Sequence, residues 1–579
     1  MKRILLAAVN AKYIHSNLAV YSLRAYARSK GIPADLEEYT INQQKDEIMK
    51  GIFQYQPDLL CFSCYVWNIS FVRELITDLH KVLPDTNIWL GGPEVTFDAV
   101  KVLKENPAVS GVMRGEGEKT FAELADCFCR GEDDDRRPDD IDGITYRDET
   151  GEVHSNPARE ILDLSDIPFP YENLEAFDHR IIYYESGRGC PFNCSYCLSS
   201  VDKRLRFRNV DLVKKELQFF LDRQVPQVKF VDRTFNCNRD HAMEIWKFLL
   251  EHDNGITNFH FEIAADLITE EELELFKEMR PGLIQLEIGV QSTNPDTVAE
   301  IHRKMDFQKV TDRVLEIQKY HNINQHLDLI AGLPFEDYES FSHSFRDVYR
   351  LHPEQLQLGF LKVLKGSYMG AHIGEYDGKY HMKEPYEILS TKWLPYRDVL
   401  RLKQVEEMVE VYYNSCQYMN LLAEIEKKYE NMFRFFEQLA NFYEKHGLFA
   451  VSHNRIRRYE ILLKFLQEHF PDDMAKFKEF AVLDVYSREN AKSRPDFAVD
   501  QRKYKRSLRE LFSKEEETRE LLPDYRKYDA KQLMKMTHVE VVSFVFERPK
   551  AYLFDYRQRD PINGSARMID VTEKIDIID

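Results

Sequence analysis

Three cysteines lie within eight positions of the stretch ESGRGCPFNCSYCLSS: Cys190, Cys194 and Cys197. Glycine, proline and aromatic residues surround them in a loop that directly follows a predicted strand. Structural zinc takes four ligands, commonly from two Cys-x-x-Cys pairs, whereas this spacing is C-x-x-x-C-x-x-C without a fourth cysteine nearby. Three thiolates on a [4Fe–4S] cube leave one iron open for another ligand. The pattern favours such a cluster over a zinc knuckle completed by a distant residue such as Cys237, and over simple packing.

The stretch SGRGCPFNCSYCLSS also resembles the signature of the radical SAM superfamily, and in particular its cobalamin-dependent branch. The resemblance implies that the three cysteines bind three irons and that S-adenosylmethionine (SAM) chelates the fourth through its amino and carboxylate groups. One electron from the cluster would then cleave the sulfonium to methionine and a 5′-deoxyadenosyl radical. The aromatic residue before the last cysteine, Tyr196, would lie near the adenine.

Three later segments, FVDRTFN, LEIGVQS and DLIAGLPFE, resemble the barrel strands that line the SAM site in this branch. An acid at a strand end can accept hydrogen bonds from the SAM ammonium or ribose hydroxyls, and an arginine can pair with its carboxylate. The predicted SAM contacts are Tyr196, Arg206, Arg208, Asp232, Glu287, Gln291 and Asp328.

Two glycine-rich segments, WLGGPEVTF and MRGEGEKTF, follow the fourth and fifth predicted strands. They are not the dinucleotide fingerprint, which needs Gly-x-Gly-x-x-Gly directly after the first strand. Glycines there let a broad, flat ligand approach the backbone. The segments resemble the cobalamin-binding domain that precedes the cluster domain in this branch. The predicted cobalamin contacts are Asn10, Tyr13, His15, Ser63, Tyr65, Gly91, Gly92, Pro93, Glu94, Gly115 and Glu116.

Residues 1–130 lack the Asp-x-His-x-x-Gly pattern whose histidine coordinates cobalt in many cobalamin enzymes. His15 follows the first predicted strand without the paired acid. We therefore predict bound cobalamin without a histidine lower ligand. Cys61 and Cys64 form a local CFSC, but residues three apart on a strand point to opposite faces, and packing is the better interpretation.

The predicted fold class is α/β, with several domains along 579 residues. Strands alternate with helices in residues 1–133, which we interpret as a Rossmann-like cobalamin-binding domain. Residues 134–178 are predicted to form a linker with a small hairpin. Residues 179–380 fit a partial or full (β/α) radical SAM barrel, and residues 381–579 a mainly helical domain that ends in a short antiparallel pair.

Composition excludes some functions. The chain has 79 Lys and Arg against 98 Asp and Glu, a net charge of −19, which argues against binding long nucleic acid through its phosphates. No stretch approaches the roughly 20 apolar residues of a membrane-spanning helix. Nine cysteines in a chain without an export signal predict a cytoplasmic protein with reduced thiols.

The resemblance implies an enzyme that methylates an unactivated carbon of a small-molecule or peptide substrate. The methyl group would come from methylcobalamin, a second SAM would restore it, and a flavodoxin or ferredoxin would donate single electrons. Three alternatives stay open: a radical rearrangement or cyclisation, a tRNA methylthiotransferase-like enzyme, and a cobalamin or redox sensor without turnover. Two features argue against the methylthiotransferase. The N-terminal cysteines are not spaced as extra cluster ligands, and the C-terminal end of the chain does not resemble a small basic β-barrel.

Overall fold

The chain was studied as a computed structural model, which describes residues 2–130 and 137–577. It folds into two compact units. The first comprises Met1–Tyr320, Ile330–Asp337 and Phe360–Pro395, and the second His321–Leu329, Tyr338–Gly359 and Tyr396–Asp579.

The first unit begins with a seven-stranded sheet in the order β2-β1-β3-β4-β5-β6-β7. Its strands are β1 (Ile4–Asn10), β2 (Asp35–Thr40), β3 (Leu59–Ser63), β4 (Asn87–Gly91), β5 (Gly111–Met113), β6 (Ile144–Arg147) and β7 (Val153–Ser155). Its helices are α1 (Leu18–Ser29), α2 (Lys45–Tyr55), α3 (Ile69–Val82), α4 (Pro93–Thr96), α5 (Ala99–Glu105) and α6 (Glu118–Arg130). Strands β1 to β5 are parallel, so their carboxyl ends meet at one edge, where ligands bind in such sheets.

All seven residues of β1 are buried, which explains why its first six residues are a continuous apolar run rather than an alternation. Strands β6 and β7 pair antiparallel with each other, and β6 pairs antiparallel with β5. They occupy the segment predicted as a linker with a hairpin, and they extend the sheet of the preceding residues. The domain boundaries remain a prediction.

The middle of the chain alternates strands with helices. The strands are β8 (Ile182–Tyr184), β9 (Gly187–Arg188), β10 (Arg206–Phe207), β11 (Gln227–Phe230), β12 (Asn258–Ile263), β13 (Ile284–Gln291), β14 (Asn324–Ala331) and β15 (Gln355–Phe360). The helices are α7 (Val210–Asp222), α8 (Arg239–Glu251), α9 (Glu270–Glu278), α10 (Pro295–Glu300), α11 (Phe307–Gln318) and α12 (Tyr338–Tyr349). Strands β8, β11, β12 and β13 are parallel neighbours. Burial alternates along β13, so Glu287, Gly289 and Gln291 share one face.

Residues 360–395, which we name the strap, complete the first unit. The strap contains α13 (Tyr368–His372), β16 (Lys379–Tyr380) and β17 (Ile388–Ser390). Apolar side chains of the strap, such as Met369 and Tyr386, form a core with Ile301 and Leu333, and Tyr196 packs against it.

The second unit is mostly helical, as predicted for the C-terminal region. Its remaining helices are α14 (Tyr396–Val409), α15 (Met419–Glu426), α16 (Met432–Lys445), α17 (Arg455–His469), α18 (Met474–Arg488), α19 (Lys505–Thr518) and α20 (Ala530–Met536). Three antiparallel strands follow: β18 (His538–Val542), β19 (Lys550–Arg559) and β20 (Ala566–Asp570). The sequence predicted a pair of strands, whereas the structure has three, and Gly564 with a φ of +73° lies in the connection between β19 and β20. Within the described ranges, no helix has the length and hydropathy needed to cross a bilayer.

Candidate functional site

The three cysteines lie in the loop between β9 and β10, which pair antiparallel and close its base. Gly189 has a φ of +93°, and a Cβ there would lie 2.7 Å from the carbonyl oxygen of Arg204, so the position requires glycine. Cys190 and Cys194 are 8% and 7% exposed, and Cys197 is half-buried. The loop therefore turns its thiols inward.

The spacing of the thiols suits a cluster better than a single ion. Two thiolates on one zinc, each about 2.3 Å from it, lie at most about 4.6 Å apart. In the described part of the chain, no trio of ligand atoms all within 4.8 Å of one another includes a cysteine. The three sulfurs are therefore not all as close together as one zinc ion requires, and soft thiolates are the ligands that iron–sulfur clusters take. Cys190, Cys194 and Cys197 are thus a donor set that fits the predicted cluster.

A cavity of about 810 Å³ opens at the carboxyl edge of the first sheet. Nine of the eleven predicted cobalamin contacts line it: Asn10, His15, Ser63, Tyr65, Gly91, Gly92, Pro93, Gly115 and Glu116. Its wall also includes Leu198 and Ser199, which directly follow the third cysteine. One cavity of the first unit therefore joins the glycine turns to the cysteine loop.

The turn after β4 has no room for a side chain at Gly92. Gly92 has a φ of +105°, and a Cβ there would lie 2.5 Å from the carbonyl oxygen of Cys64. Gly115, after β5, also has a positive φ, of +73°, with open space where its Cβ would be. Glycine at position 92 thus allows the close approach of the Cys64 backbone, and the open space at Gly115 leaves room for a broad ligand such as a corrin ring.

Two predicted cobalamin contacts do not line the cavity. Tyr13 is 62% exposed, and the guanidinium of Arg180 lies 4.5 Å from the centre of its ring. Glu94 is 3% exposed, and its carboxylate is bonded to Tyr386 and Lys365 of the strap. Both side chains are engaged elsewhere, so we leave them out of the proposed cobalamin site.

His15 is on the cavity wall and is held by a neighbouring side chain. Its Nδ1 lies 2.7 Å from the hydroxyl of Tyr183. Burial and the positive charges of Lys12 and Lys229 lower the pKa of His15, so its imidazole is neutral at pH 7. The absence of a histidine ligand to cobalt remains a prediction.

An ion-pair network connects the turn after β5 to the cysteine hairpin. Nη2 of Arg188 lies 2.7 Å from carboxylate oxygens of both Glu118 and Glu185. Nη2 of Arg206 lies 2.5 Å from Oε1 of Glu116. Burial alone would raise the pKa of Glu116, but Arg206 and Arg188 outweigh it and lower that pKa. Arg206, predicted to bind the SAM carboxylate, is thus paired with a protein carboxylate.

Arg208 is also committed to the protein. Its guanidinium pairs with both carboxylate oxygens of Glu216, at 2.5 and 2.9 Å. It further donates to the carbonyl oxygens of Leu164 and Ile167. All these groups are buried, which favours a structural role for Arg208 over its predicted contact with SAM.

Asp232 follows β11 and supports the strand end that leads into the cysteine hairpin. It is 3% exposed and accepts hydrogen bonds from the backbone nitrogen and hydroxyl of Ser186, at 2.9 and 2.8 Å. Nε2 of His241 lies 3.2 Å from the same hydroxyl. Burial raises the pKa of Asp232 to about 7.

Glu287 and Gln291 lie on one face of β13, as noted above. Oε2 of Glu287 is 2.9 Å from Nζ of Lys229 and 2.9 Å from Nε2 of His260. Gln291 has a left-handed backbone, with a φ of +72°. Asp328 lies on β14 in the second unit, where its Oδ1 is 3.0 Å from Nε2 of His326. The roles of these residues towards SAM remain predictions.

Sequence reasoning missed several residues of the site. Arg188 and Trp67 line the cavity, and Trp67 stacks on Tyr65 with ring centres 4.4 Å apart. Arg303, more than 100 positions after the cysteines, donates to Cys194 and Tyr196. No local pattern marks Arg303, because its contacts join segments that are distant along the chain. The pairing of Arg188 likewise requires the folded hairpin.

Three family models match the chain. The B12 binding domain matches residues 4–125, the radical SAM superfamily residues 184–348, and a protein family of unknown function, DUF4080, residues 374–555. An uncharacterized methyltransferase of Pyrococcus horikoshii is 26% identical, over 57% of this chain and 71% of its own length. The cobalamin-dependent radical SAM methyltransferase TokK of Streptomyces tokunonensis is also 26% identical, over 51% of this chain and 45% of its own.

A third relative has a different reaction in its name. The anaerobic magnesium-protoporphyrin IX monomethyl ester cyclase of Rubrivivax gelatinosus is 24% identical, over 55% of this chain and 59% of its own length. The solved structure of TsrM from Kitasatospora setae, a radical SAM methyltransferase with cobalamin and a [4Fe–4S] cluster bound, aligns with a TM-score of 0.55 at 18% identity. This alignment covers 65% of our chain and 78% of TsrM and shows a shared fold.

The matches cover less than two thirds of the length of TokK and of the cyclase. A B12-binding domain followed by a radical SAM domain confirms the predicted cofactors: cobalamin, SAM and a [4Fe–4S] cluster. The chain therefore combines a B12-binding domain with a radical SAM domain, the two cofactor domains expected from its resemblance to the cobalamin-dependent branch.

Proposed function

We propose that this protein is a cobalamin-dependent radical SAM methyltransferase that methylates an unactivated carbon of a small-molecule or peptide substrate. The observation that carries the proposal is the single cavity that the glycine turns share with Leu198 and Ser199, next to Cys197. A substrate in this cavity would lie between the two cofactor sites. The two relatives named as methyltransferases support methyl transfer as the reaction.

Cys190, Cys194 and Cys197 would hold the cluster, and the nine cavity-lining residues named above would hold cobalamin. When bound, these groups supply reductive cleavage of SAM and a transferable methyl group. The chain itself binds and orients the substrate and excludes water. Leu6, Val20 and Phe62 provide an apolar part of the wall, which suits a reaction that must keep solvent from a reactive carbon.

The charges around the cavity are largely paired within the protein. Arg188 is neutralised by Glu118 and Glu185, and Nη1 of Arg233 lies 3.5 Å from Oε2 of Glu262. Paired charges leave few groups that could act as general acids or bases. This fits a reaction whose bond-breaking is done by cofactors rather than by titratable side chains.

A cyclisation or rearrangement without methyl transfer is the second candidate, because one relative is named as a cyclase. We further propose that a flavodoxin or ferredoxin supplies single electrons and that the protein works in the cytoplasm.

Turnover can be tested on the full-length protein, purified anaerobically and reconstituted with iron, sulfide and cobalamin. The proposal predicts about four irons per chain and formation of 5′-deoxyadenosine and S-adenosylhomocysteine from SAM with dithionite and cell-extract metabolites. A label from methyl-deuterated SAM should appear in a product. Deoxyadenosine without labelled product would favour cyclisation.

The Cys194→Ala variant should lose cluster iron and deoxyadenosine formation. Cys129→Ala, on α6, is the matched control and should retain both. An active Cys194→Ala protein, or a wild-type protein that binds zinc and forms no deoxyadenosine, would contradict the proposed function.

A further inference from the structure

Arg303 follows α10 and reaches the cysteine loop with its guanidinium group. Its Nη1 lies 3.7 Å from Sγ of Cys194 and 3.4 Å from the hydroxyl oxygen of Tyr196. Its Nη2 donates to the carbonyl oxygen of Gly289 on β13. A permanent positive charge therefore lies beside the sulfur of the middle cysteine.

Two further contacts fix this arrangement. The backbone nitrogen of Ser195 donates to the carbonyl oxygen of Ile301, at 2.9 Å, which joins the cysteine loop to the segment that carries Arg303. At Gly289, a Cβ would clash with Nε2 of Gln291 and would lie 3.7 Å from Nη2 of Arg303. Glycine at this position allows the guanidinium and the amide to share the face of β13.

The charge of Arg303 differs from those of the neighbouring arginines. Arg188, Arg206 and Arg208 each pair with at least one glutamate. In the described part of the chain, the hydrogen-bond acceptors of Arg303 are a thiol, a phenol and a backbone carbonyl, with no carboxylate among them. Among these described residues its charge is not neutralised by an ion pair, and it acts directly on the cysteine sulfur.

We infer that Arg303 is a positioning residue that raises the reduction potential of the cluster through the sulfur of Cys194. The inference rests on the proposed function, because it needs a cluster on the three cysteines. Reduction adds one electron from an external one-electron reductant to the cluster and breaks no bond. Hydrogen bonds to the ligand sulfurs and nearby positive charge stabilise the more negative, reduced state. Loss of Arg303 should therefore make the cluster harder to reduce.

The test is a redox titration of the reconstituted full-length protein with dithionite, followed by electron paramagnetic resonance (EPR), with SAM left out. Arg303→Gln should show a midpoint potential more negative than that of the wild type. At the potential where half of the wild-type cluster is reduced, the EPR signal of the reduced cluster should be smaller in Arg303→Gln than in the wild type. Arg303→Lys keeps a charge but loses the planar fork, and we expect a smaller shift in the same direction.

Arg313→Gln is the matched control. Arg313 lies on α11, where its Nη1 is 2.6 Å from Oε1 of Glu270, and its loss should leave the midpoint unchanged. Since the titration contains no SAM, a role of Arg303 confined to SAM binding would not shift the midpoint.

Iron and sulfide content, measured first, separates the outcomes. A wild-type protein without a cluster overturns the proposed function. Arg303→Gln with full iron content and the wild-type midpoint overturns only this inference. If Arg303→Gln does not retain its cluster, Arg303→Lys decides: a negative shift supports the inference, and the wild-type midpoint overturns it.

Discussion

The hydroxyl of Tyr386 donates a hydrogen bond to Oε2 of Glu94 over 2.8 Å. Nζ of Lys365 lies 3.3 Å from the same oxygen. Glu94 directly follows the turn of Gly91, Gly92 and Pro93, whereas Tyr386 and Lys365 belong to the strap. The strap also bonds to the cysteine loop, through the backbone nitrogen of Met369 and the carbonyl oxygen of Ser195, at 2.7 Å. One short segment therefore contacts both the glycine turn that we propose to face cobalamin and the cysteine loop.

Replacing Tyr386 by phenylalanine removes a donor from a buried carboxylate. Lys365 keeps its contact with the same oxygen, so the change removes one hydrogen bond without leaving the acceptor bare, at a cost of about 0.5–1.5 kcal/mol. We expect Tyr386→Phe to lower the free energy of unfolding by that amount and to weaken retention of cobalamin. Urea unfolding and corrin absorbance after gel filtration measure the two effects. Tyr380→Phe, an exposed tyrosine of the same strap, should change neither, and equal behaviour of the two variants would argue against this function of the strap.

Gly92→Ala should impair the cobalamin site. The new Cβ would lie 2.5 Å from the carbonyl oxygen of Cys64, at a φ of +105° that alanine rarely adopts. The turn must shift, and we expect at least a roughly tenfold increase in the dissociation constant for hydroxocobalamin, measured by fluorescence quenching. Gly374→Ala, where a Cβ meets no atom within 4 Å, is the control. Wild-type affinity in Gly92→Ala would mean that this turn does not face the corrin.

Arg208→Gln separates a structural role from SAM binding. Breaking a buried ion pair leaves the Glu216 carboxylate without its partner and costs about 3–5 kcal/mol. Arg204→Gln removes a more exposed pair with Asp202 and should cost no more than about 1 kcal/mol. Urea unfolding gives both values. If Arg208→Gln kept wild-type stability but lost affinity for SAM, the original prediction of a SAM contact would be correct.

Asp232 should make stability depend on pH. Burial raises its pKa from 3.8 to about 7 in the folded protein, so between these values the folded state holds a proton that the unfolded state has released. Its contribution to the free energy of unfolding is therefore complete below about pH 4 and is lost as the pH rises to about 7. We expect that in Asp232→Asn the free energy of unfolding declines less steeply between about pH 5 and pH 7 than in the wild type.

Urea unfolding at several pH values measures the dependence on Asp232. Asp222→Asn, at the exposed end of α7, is the control and should retain the wild-type slope. An unchanged slope in Asp232→Asn would show that another group is responsible.

The cysteine loop and the glycine turns could be predicted from sequence because each is a local pattern. Cys190, Cys194 and Cys197 are close along the chain, and Gly92 and Gly115 follow strands whose ends must meet at one edge of a parallel sheet. The exceptions, Tyr13 and Glu94, are close to cavity-lining residues in sequence, but their side chains contact other partners. A local sequence pattern predicts where the backbone turns. It does not predict the direction in which each side chain points.

The sequence by itself determined the cofactors, the order of the cofactor domains and the helical C-terminal region, since these depend on ligand types, short spacings and periodicity. Only the tertiary structure decided which arginine charges are neutralised by a carboxylate and which are not. It paired Arg206 with Glu116 and Arg208 with Glu216, left Arg303 beside Cys194, and brought Tyr386 to Glu94 across 292 positions. The physical reason is that electrostatic partners are chosen by distance in space and by burial, and neither is encoded in a local pattern.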